Sequence, residues 1–252
     1  MSRRESVQQQ PAYLLHHRPF RDTSRILELY TRDHGRITAF ARGARGGKNG
    51  WAALLRPFAP LLVSYLGVAH GDAVTLTGVE AVAGPQSLPP ARILSGFYLN
   101  ELLIKLCPRG EAQPDLYEIY ADTVRELAGG ADEVRTLRLF EKRLLDALGY
   151  GVDYTRIEST GAEVQPGRFY RVRPERGVEA EVDAAGGAHV YLGQHLLSVA
   201  AEALHEPEAV QAVRGLLQAA LAGPLDGRAL GSRTVARALK DLSDNPVTGR
   251  TP

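Results

Sequence analysis

Apolar and polar residues alternate through the first eighty positions, and after position 90 the apolar residues recur at helical spacing. Alternation at period two marks half-buried strands, and a period near 3.6 marks amphipathic helices. Ala12 to Arg18 alternates and stops at Pro19. Ser24 to Thr31 is rich in β-branched and aromatic residues and stops at the turn Asp33-His34-Gly35. Gly35 to Arg42, Leu61 to Leu66 and Ala73 to Val82 complete five short strands joined by Gly and Pro turns. That pattern predicts a small closed barrel over 11–84, with a short helix near Trp51 to Leu55. The first ten residues are polar and predict a disordered lead-in.

Gly84-Pro85 and Leu88-Pro89-Pro90 break the pattern. Three helices are expected next, over Ala91–Leu106, Pro114–Ala128 and Ala131–Leu148, and their short connections predict a bundle over 91–150. Residues 151–193 read as irregular and Gly-rich, with β-like pieces at Arg168–Arg173 and Ala188–Leu192. Helices follow over Gln194–Leu204 and Pro207–Leu221. A further helix from Ser232 to Asp241 would extend a C-terminal helical region, 194–243, packing on the bundle. The fold class is therefore α+β.

Charge changes this picture. The chain of 252 residues has a net charge of +1, but residues 1–84 carry 11 Arg+Lys against 6 Asp+Glu, and the remainder carries 19 against 23. A polyanion is drawn to the N-terminal part. One strand parity there holds Arg36, Thr38, Phe40 and Arg42, and the other holds Ile37, Ala39 and Ala41. One face is then apolar, and the other sets a ring between two guanidiniums. Such a face suits nucleic acid, with phosphates on the cations and a base on the ring. It equally suits a solvated strand ending in a charged hairpin. On the third expected helix, Arg135, Arg138 and Lys142 form a basic stripe beside Leu137, Phe140 and Leu144. The stripe either receives an acidic peptide with an apolar end or pairs with Glu141, Asp132 or Glu133.

Several chemistries find no motif. Gly47-Lys48 is followed by Asn49, and position 42 is Arg, so the glycine-rich run is not a phosphate-binding loop. One cysteine, Cys107, excludes an internal disulfide and a cysteine-rich zinc site, and agrees with a reducing cytoplasm. The seven histidines are scattered, and no nucleophile elbow is present. No metal, cofactor or enzymatic activity is expected, and no apolar run approaches membrane-helix length.

Specific pieces then fall into a known order. They are Tyr13-Leu14-Leu15-His16-x-Arg18-Pro19-Phe20-x-Asp22-Thr23-Ser24, Gly35-Arg36, Ala41-Arg42-Gly43-Ala44-Arg45 and Leu55-x-Pro57-Phe58-x-Pro60-Leu61, followed by Tyr98-x-Asn100-Glu101-Leu102 and Phe140-Glu141-x-x-Leu144-Leu145-x-x-Leu148-Gly149-Tyr150. Together, over about 11–152, they resemble the bacterial recombination mediator family RecO. The resemblance implies an N-terminal OB-fold, a helical bundle and a small C-terminal region. It implies a non-enzymatic protein that binds single- and double-stranded DNA and anneals complementary strands. With RecR it would help RecA replace single-stranded DNA-binding protein (SSB), in the cytoplasm on nucleoid DNA. The DNA candidates are Arg18, Arg21, Arg36, Phe40, Arg42, Arg45, Lys48 and Arg56. The acidic, Phe-ended SSB tail would meet Arg135, Arg138 and Lys142. Many members carry four zinc-binding cysteines after the Leu-Gly-Tyr segment, but Tyr154 to Gly161 has none, so 151–193 would be a remnant of that site. The rival expectation is a protein-binding adaptor whose basic charge is incidental.

Overall fold

The computed structural model describes residues 5–44, 50–67, 73–84, 87–182 and 189–236. The chain divides into two compact units, residues 1–112 with 228–252, and residues 113–227.

In the first unit, β1 (Glu5–Phe20), β2 (Ser24–Thr31), β3 (Gly35–Ala41), β4 (Pro60–Gly67) and β5 (Val74–Ala81) close a barrel in the order β1-β2-β3-β5-β4. Closure comes from a short parallel pairing, Ala39 with Val74 and Phe40 with Thr75. This is the five-stranded OB-type barrel that the alternation and the resemblance led us to expect. The inward parity is apolar: Leu14, Leu27, Leu29, Ile37, Ala39 and Val63 are all at or near zero exposure. A barrel has no free edge, so each backbone ladder is satisfied within the unit.

The strand β1 corrects the expected lead-in, because it starts at Glu5. Its first part pairs with β4, from Glu5 with Gly67 to Tyr13 with Pro60, and its second part pairs with β2. The run Ser6–Gln10 offers one apolar residue, Val7, which packs against the core, and the rest of its place comes from backbone pairing. Side chains reinforce it: the Gln9 amide donates to Ser64 Oγ (3.1 Å), and Gln10 Nε2 to Asp33 (3.1 Å). Shifts in register between Val7 and Gln10, and between Leu14 and His16, let one long strand serve two neighbours.

A short helix, α1 (Trp51–Leu54), precedes β4, and α2 (Ile93–Leu106) follows the barrel after a 3₁₀ turn. The grouping of α2 is a second correction, since it belongs with the barrel and not with the bundle. Two residues explain this. Asn100 is buried and donates to the Leu15 carbonyl of β1 (2.9 Å). A Cβ at Gly96 would lie 2.5–2.6 Å from Leu88 and Phe58, so only glycine allows this approach. The loop after α2 then lies along β3: the Gly110 amide donates to the Arg36 carbonyl (2.9 Å). Gly35 has φ +61°, and a Cβ there would meet the Glu111 carbonyl at 1.8 Å.

Residues 228–234 also return to this unit, which corrects their expected grouping with the bundle. Glu101 of α2 accepts from the Gly231 amide (2.9 Å), the Ser232 amide (2.9 Å) and Ser232 Oγ (2.7 Å). Burial favours the neutral carboxyl, but these bonds and Lys105 outweigh it and hold Glu101 down to about 2. Arg233 lies over the Tyr98 ring, 5.1 Å from its centroid.

The second unit contains α3 (Pro114–Ala128), α4 (Glu133–Ala147), α5 (Gly193–Ala200) and α6 (Pro207–Leu225). Helix α4 packs on α3 and α6 through Phe140 and Leu144, both fully buried. Asp132 caps α4, its Oδ1 accepting from the Arg135 amide (2.8 Å). The segment expected to be irregular contains a three-stranded antiparallel sheet in the order β7-β6-β8, from β6 (Phe169–Arg173), β7 (Gly177–Val182) and β8 (Val190–Leu192). No helix of the described residues is long and apolar enough to cross a membrane.

Candidate nucleic-acid interface

The register of β1, β2 and β3 decides which side chains share the outer face of the barrel. Arg18 lies opposite Ile26, and Ile26 opposite Phe40, so these three stand in one row. The burial of β3 alternates, with Ile37, Ala39 and Ala41 inside and Arg36, Thr38 and Phe40 on the outer side. Phe20, at the end of β1, brings its ring to 5.4 Å from that of Phe40, at a 47° tilt. Arg21 places its guanidinium 5.3 Å from the Phe20 centroid. Arg21 is exposed beside the rings, and Arg18 and Arg42, two residues from Phe20 and Phe40 in sequence, are exposed as well. Two half-buried aromatic faces with guanidiniums on the same stretch can take stacked bases and their phosphates together.

The other end of the same face is chemically closed. Glu28 accepts from Thr38 Oγ1 (2.9 Å), Arg36 Nη1 (3.1 Å) and Arg109 Nη2 (2.7 Å). Arg36 also donates from Nε to the Cys107 carbonyl (3.1 Å). The expected DNA contact at Arg36 is therefore corrected. Its guanidinium is mostly buried, and it ties β3 to β2 and to the loop after α2. Burial lowers its pKa despite the neighbouring Glu28. Cys107 is buried as well, which pushes its thiol up to about 12. Arg56 is exposed on the segment after α1. Arg45 and Lys48 lie outside the described residues.

Phe20 escaped the sequence reading. It lies twenty residues from Phe40, after a proline, and no periodicity links the two. Only the hairpin register of β1 with β2, and of β2 with β3, brings the rings together.

The basic stripe on α4 is divided by the structure. Arg138 is almost fully buried, and its Nη2 lies 2.8 Å from Glu141 Oε1, a residue at 0 % side-chain exposure. Lys142 bonds Asp146 (2.7 Å) and Glu202 (3.2 Å). Burial opposes its charge, but the two carboxylates prevail and raise its pKa. These two cations are engaged within the unit, which corrects the expectation that they form an open ligand row with Arg135. Arg135 instead lines a cleft of about 480 Å³ with Val134, Leu204, Pro207 and Val210, and Asp132, His205 and Gln211 complete its wall. Its Nε is buried without a hydrogen-bond partner.

Comparison with known proteins divides the chain just before α2, between the barrel and all that follows it. The family model described as recombination protein O N terminal matches residues 4–85, and the one described as recombination protein O C terminal matches residues 90–234. Similar curated proteins include the DNA repair protein RecO of Methylococcus capsulatus, 39% identical over 226 residues, covering 90% of this chain and 91% of that one. The DNA repair protein RecO of Alkalilimnicola ehrlichii is 42% identical over 234 residues, covering 91% of each. That of Azoarcus sp. is 38% identical over 246 residues, covering 96% of this chain and all of the other.

Proposed function

The chain belongs to the recombination protein O family, and from that premise we propose that it is a DNA-binding recombination mediator of DNA repair. It binds single- and double-stranded DNA without catalysing a covalent step, anneals complementary strands, and with RecR helps RecA replace SSB in the cytoplasm. The observation that carries the DNA reading is the Phe20–Phe40 pair with Arg21 against it, and Arg18 and Arg42 exposed two residues from the rings. Arg45, Lys48 and Arg56 extend the same basic segment in sequence.

The test is a titration of labelled single strands and duplexes against salt, with an annealing assay alongside. The log of the affinity should fall by about 0.7 per phosphate contact for single strands and about 0.9 for duplex for each unit of log salt. Binding that ignores salt, or a chain that leaves annealing at its spontaneous rate, would overturn the proposal and favour a protein-binding adaptor.

We also propose that the acidic SSB tail ends in the cleft beside Arg135. Val134, Leu204, Pro207 and Val210 supply an apolar floor for the terminal ring, and the unpartnered Nε of Arg135 supplies a donor for a carboxylate. Arg135→Glu should weaken binding of a labelled tail peptide at least tenfold, about 1.4 kcal/mol, and leave oligonucleotide binding unchanged. Fluorescence anisotropy with both probes reads this out. Unchanged tail binding would remove the cleft from the mechanism.

A further inference from the structure

The exposed face of the small sheet in the second unit presents a second surface with cations beside a ring. β6 is the central strand, and its burial alternates: Tyr170 and Val172 are each 1% exposed, while Phe169 is half-buried and Arg171 and Arg173 are exposed. Successive strand residues point to opposite faces, so Phe169, Arg171 and Arg173 share the outer one. Residues two apart on a strand lie about 6.7 Å from one another, which sets the three out as an evenly spaced row. Cross-strand neighbours decide the local charge. Arg171 lies opposite Ala180 on β7 and Val190 on β8, and Phe169 opposite Leu192, so no carboxylate faces either residue. Glu181 of β7 lies opposite Tyr170, at the other parity, and Glu179 sits at the far end, 3.3 Å from Arg173 and 3.6 Å from Arg176. One carboxylate there meets two guanidiniums.

All the cations of this row are arginine. A guanidinium meets a phosphate with two parallel bonds and also stacks on a base, which an ammonium does not. With a ring in the same row, the chemistry matches a nucleic-acid backbone, which sets a flat base beside every phosphate, better than a run of acidic side chains, which offers no ring to Phe169.

We infer that the outer face of β6, at Phe169, Arg171 and Arg173, is a second binding surface for single-stranded nucleic acid, separate from the barrel. The inference rests on the proposed DNA function and extends it. A protein that anneals strands must hold two of them, and each unit then offers one surface.

The experiment uses the full chain and oligonucleotides carrying photoreactive bromodeoxyuridine, with cross-linked peptides mapped after irradiation. Cross-links are expected both in the barrel around Phe20 and Phe40 and on the sheet at Phe169. The double variant Arg171→Glu/Arg173→Glu should lose the sheet cross-links alone and bind one strand where the parent binds two. Its salt slope should drop by about 0.7 for each lost phosphate contact. Annealing should slow by about tenfold, the loss expected for one stacked base and its phosphates. Arg171→Lys/Arg173→Lys should keep most of the charge-driven binding. An unchanged thermal midpoint for each variant shows that the fold is intact. Cross-links confined to the barrel, with annealing intact in the Glu variant, would overturn the second surface and leave the DNA function standing. Cross-links in neither unit would overturn both. Displacement of the sheet cross-link by polyglutamate as readily as by unlabelled oligonucleotide would reassign the face to acidic peptides and overturn the inference.

Discussion

Replacing Phe20 and Phe40 together with Ala should lower affinity for single-stranded oligonucleotides about a hundredfold, while duplex binding falls only a few-fold. The estimate takes two base–ring stacks at ~1.5 kcal/mol each, within the ~1–3 kcal/mol seen for such contacts. Duplex binding depends chiefly on phosphates, and a base inside a duplex cannot reach either ring. Both rings are half-buried, and Phe40 stands in the row that holds Ile26, which is 9% exposed, so the change also removes apolar cover. The variant Phe20→Leu/Phe40→Leu separates the two effects, because it keeps an apolar side chain and loses the π-face. The Leu variant should keep the thermal midpoint and still lose most single-strand affinity. Equal losses for single strands and duplex, or a Leu variant that binds like the parent, would remove stacking from the account.

Removing one side of the Arg138–Glu141 pair should be the most damaging single change in the second unit. The side chains are 7% and 0% exposed, so Glu141→Ala leaves a guanidinium in the core without its carboxylate. Breaking a buried pair in this way costs about 3–5 kcal/mol, whereas replacing both partners with apolar residues of similar size is often near neutral. Urea denaturation should therefore show a large loss for Glu141→Ala and a much smaller one for Arg138→Met/Glu141→Leu. If the single and double variants were equally stable, the pair would not hold the helices. The same geometry bears on the SSB tail. Arg138→Glu would put a second carboxylate beside Glu141 in the core, so lost tail binding in that variant would report unfolding. Arg135, half-exposed at the cleft, is the residue whose reversal tests the ligand.

Much of the architecture is legible along the chain because its causes are local. The β3 run alternates because one side of a barrel strand meets the core and the other meets water, and Ile37, Ala39 and Ala41 carry that information without help. Asp132 before the α4 stripe, and Pro114 at the first turn of α3, mark helix starts through bonds made within a few residues. The β7 strand was harder to see: it is short, follows a turn, and pairs with β6 through the backbone. The first residues of β1 were illegible for the same reason.

The sequence by itself determined the five-strand alternation, the helices of the second unit, the basic excess of the first fifty-six residues, and the family resemblance. All of these rest on residue type and short spacing. Only the tertiary structure decided which cations remain available to a ligand. Arg36 has the outward parity of β3, yet it is held by Glu28 and the Cys107 carbonyl, from residues 8 and 71 positions away. Arg135 and Arg138 share one helix face, yet one lines a cleft and the other is buried on Glu141. Burial and pairing are properties of what the fold brings alongside a side chain, and those neighbours come from distant parts of the chain. The Phe20–Phe40 pair is decided in the same way, since a distance of 5.4 Å between rings twenty residues apart exists only once β1, β2 and β3 are in register.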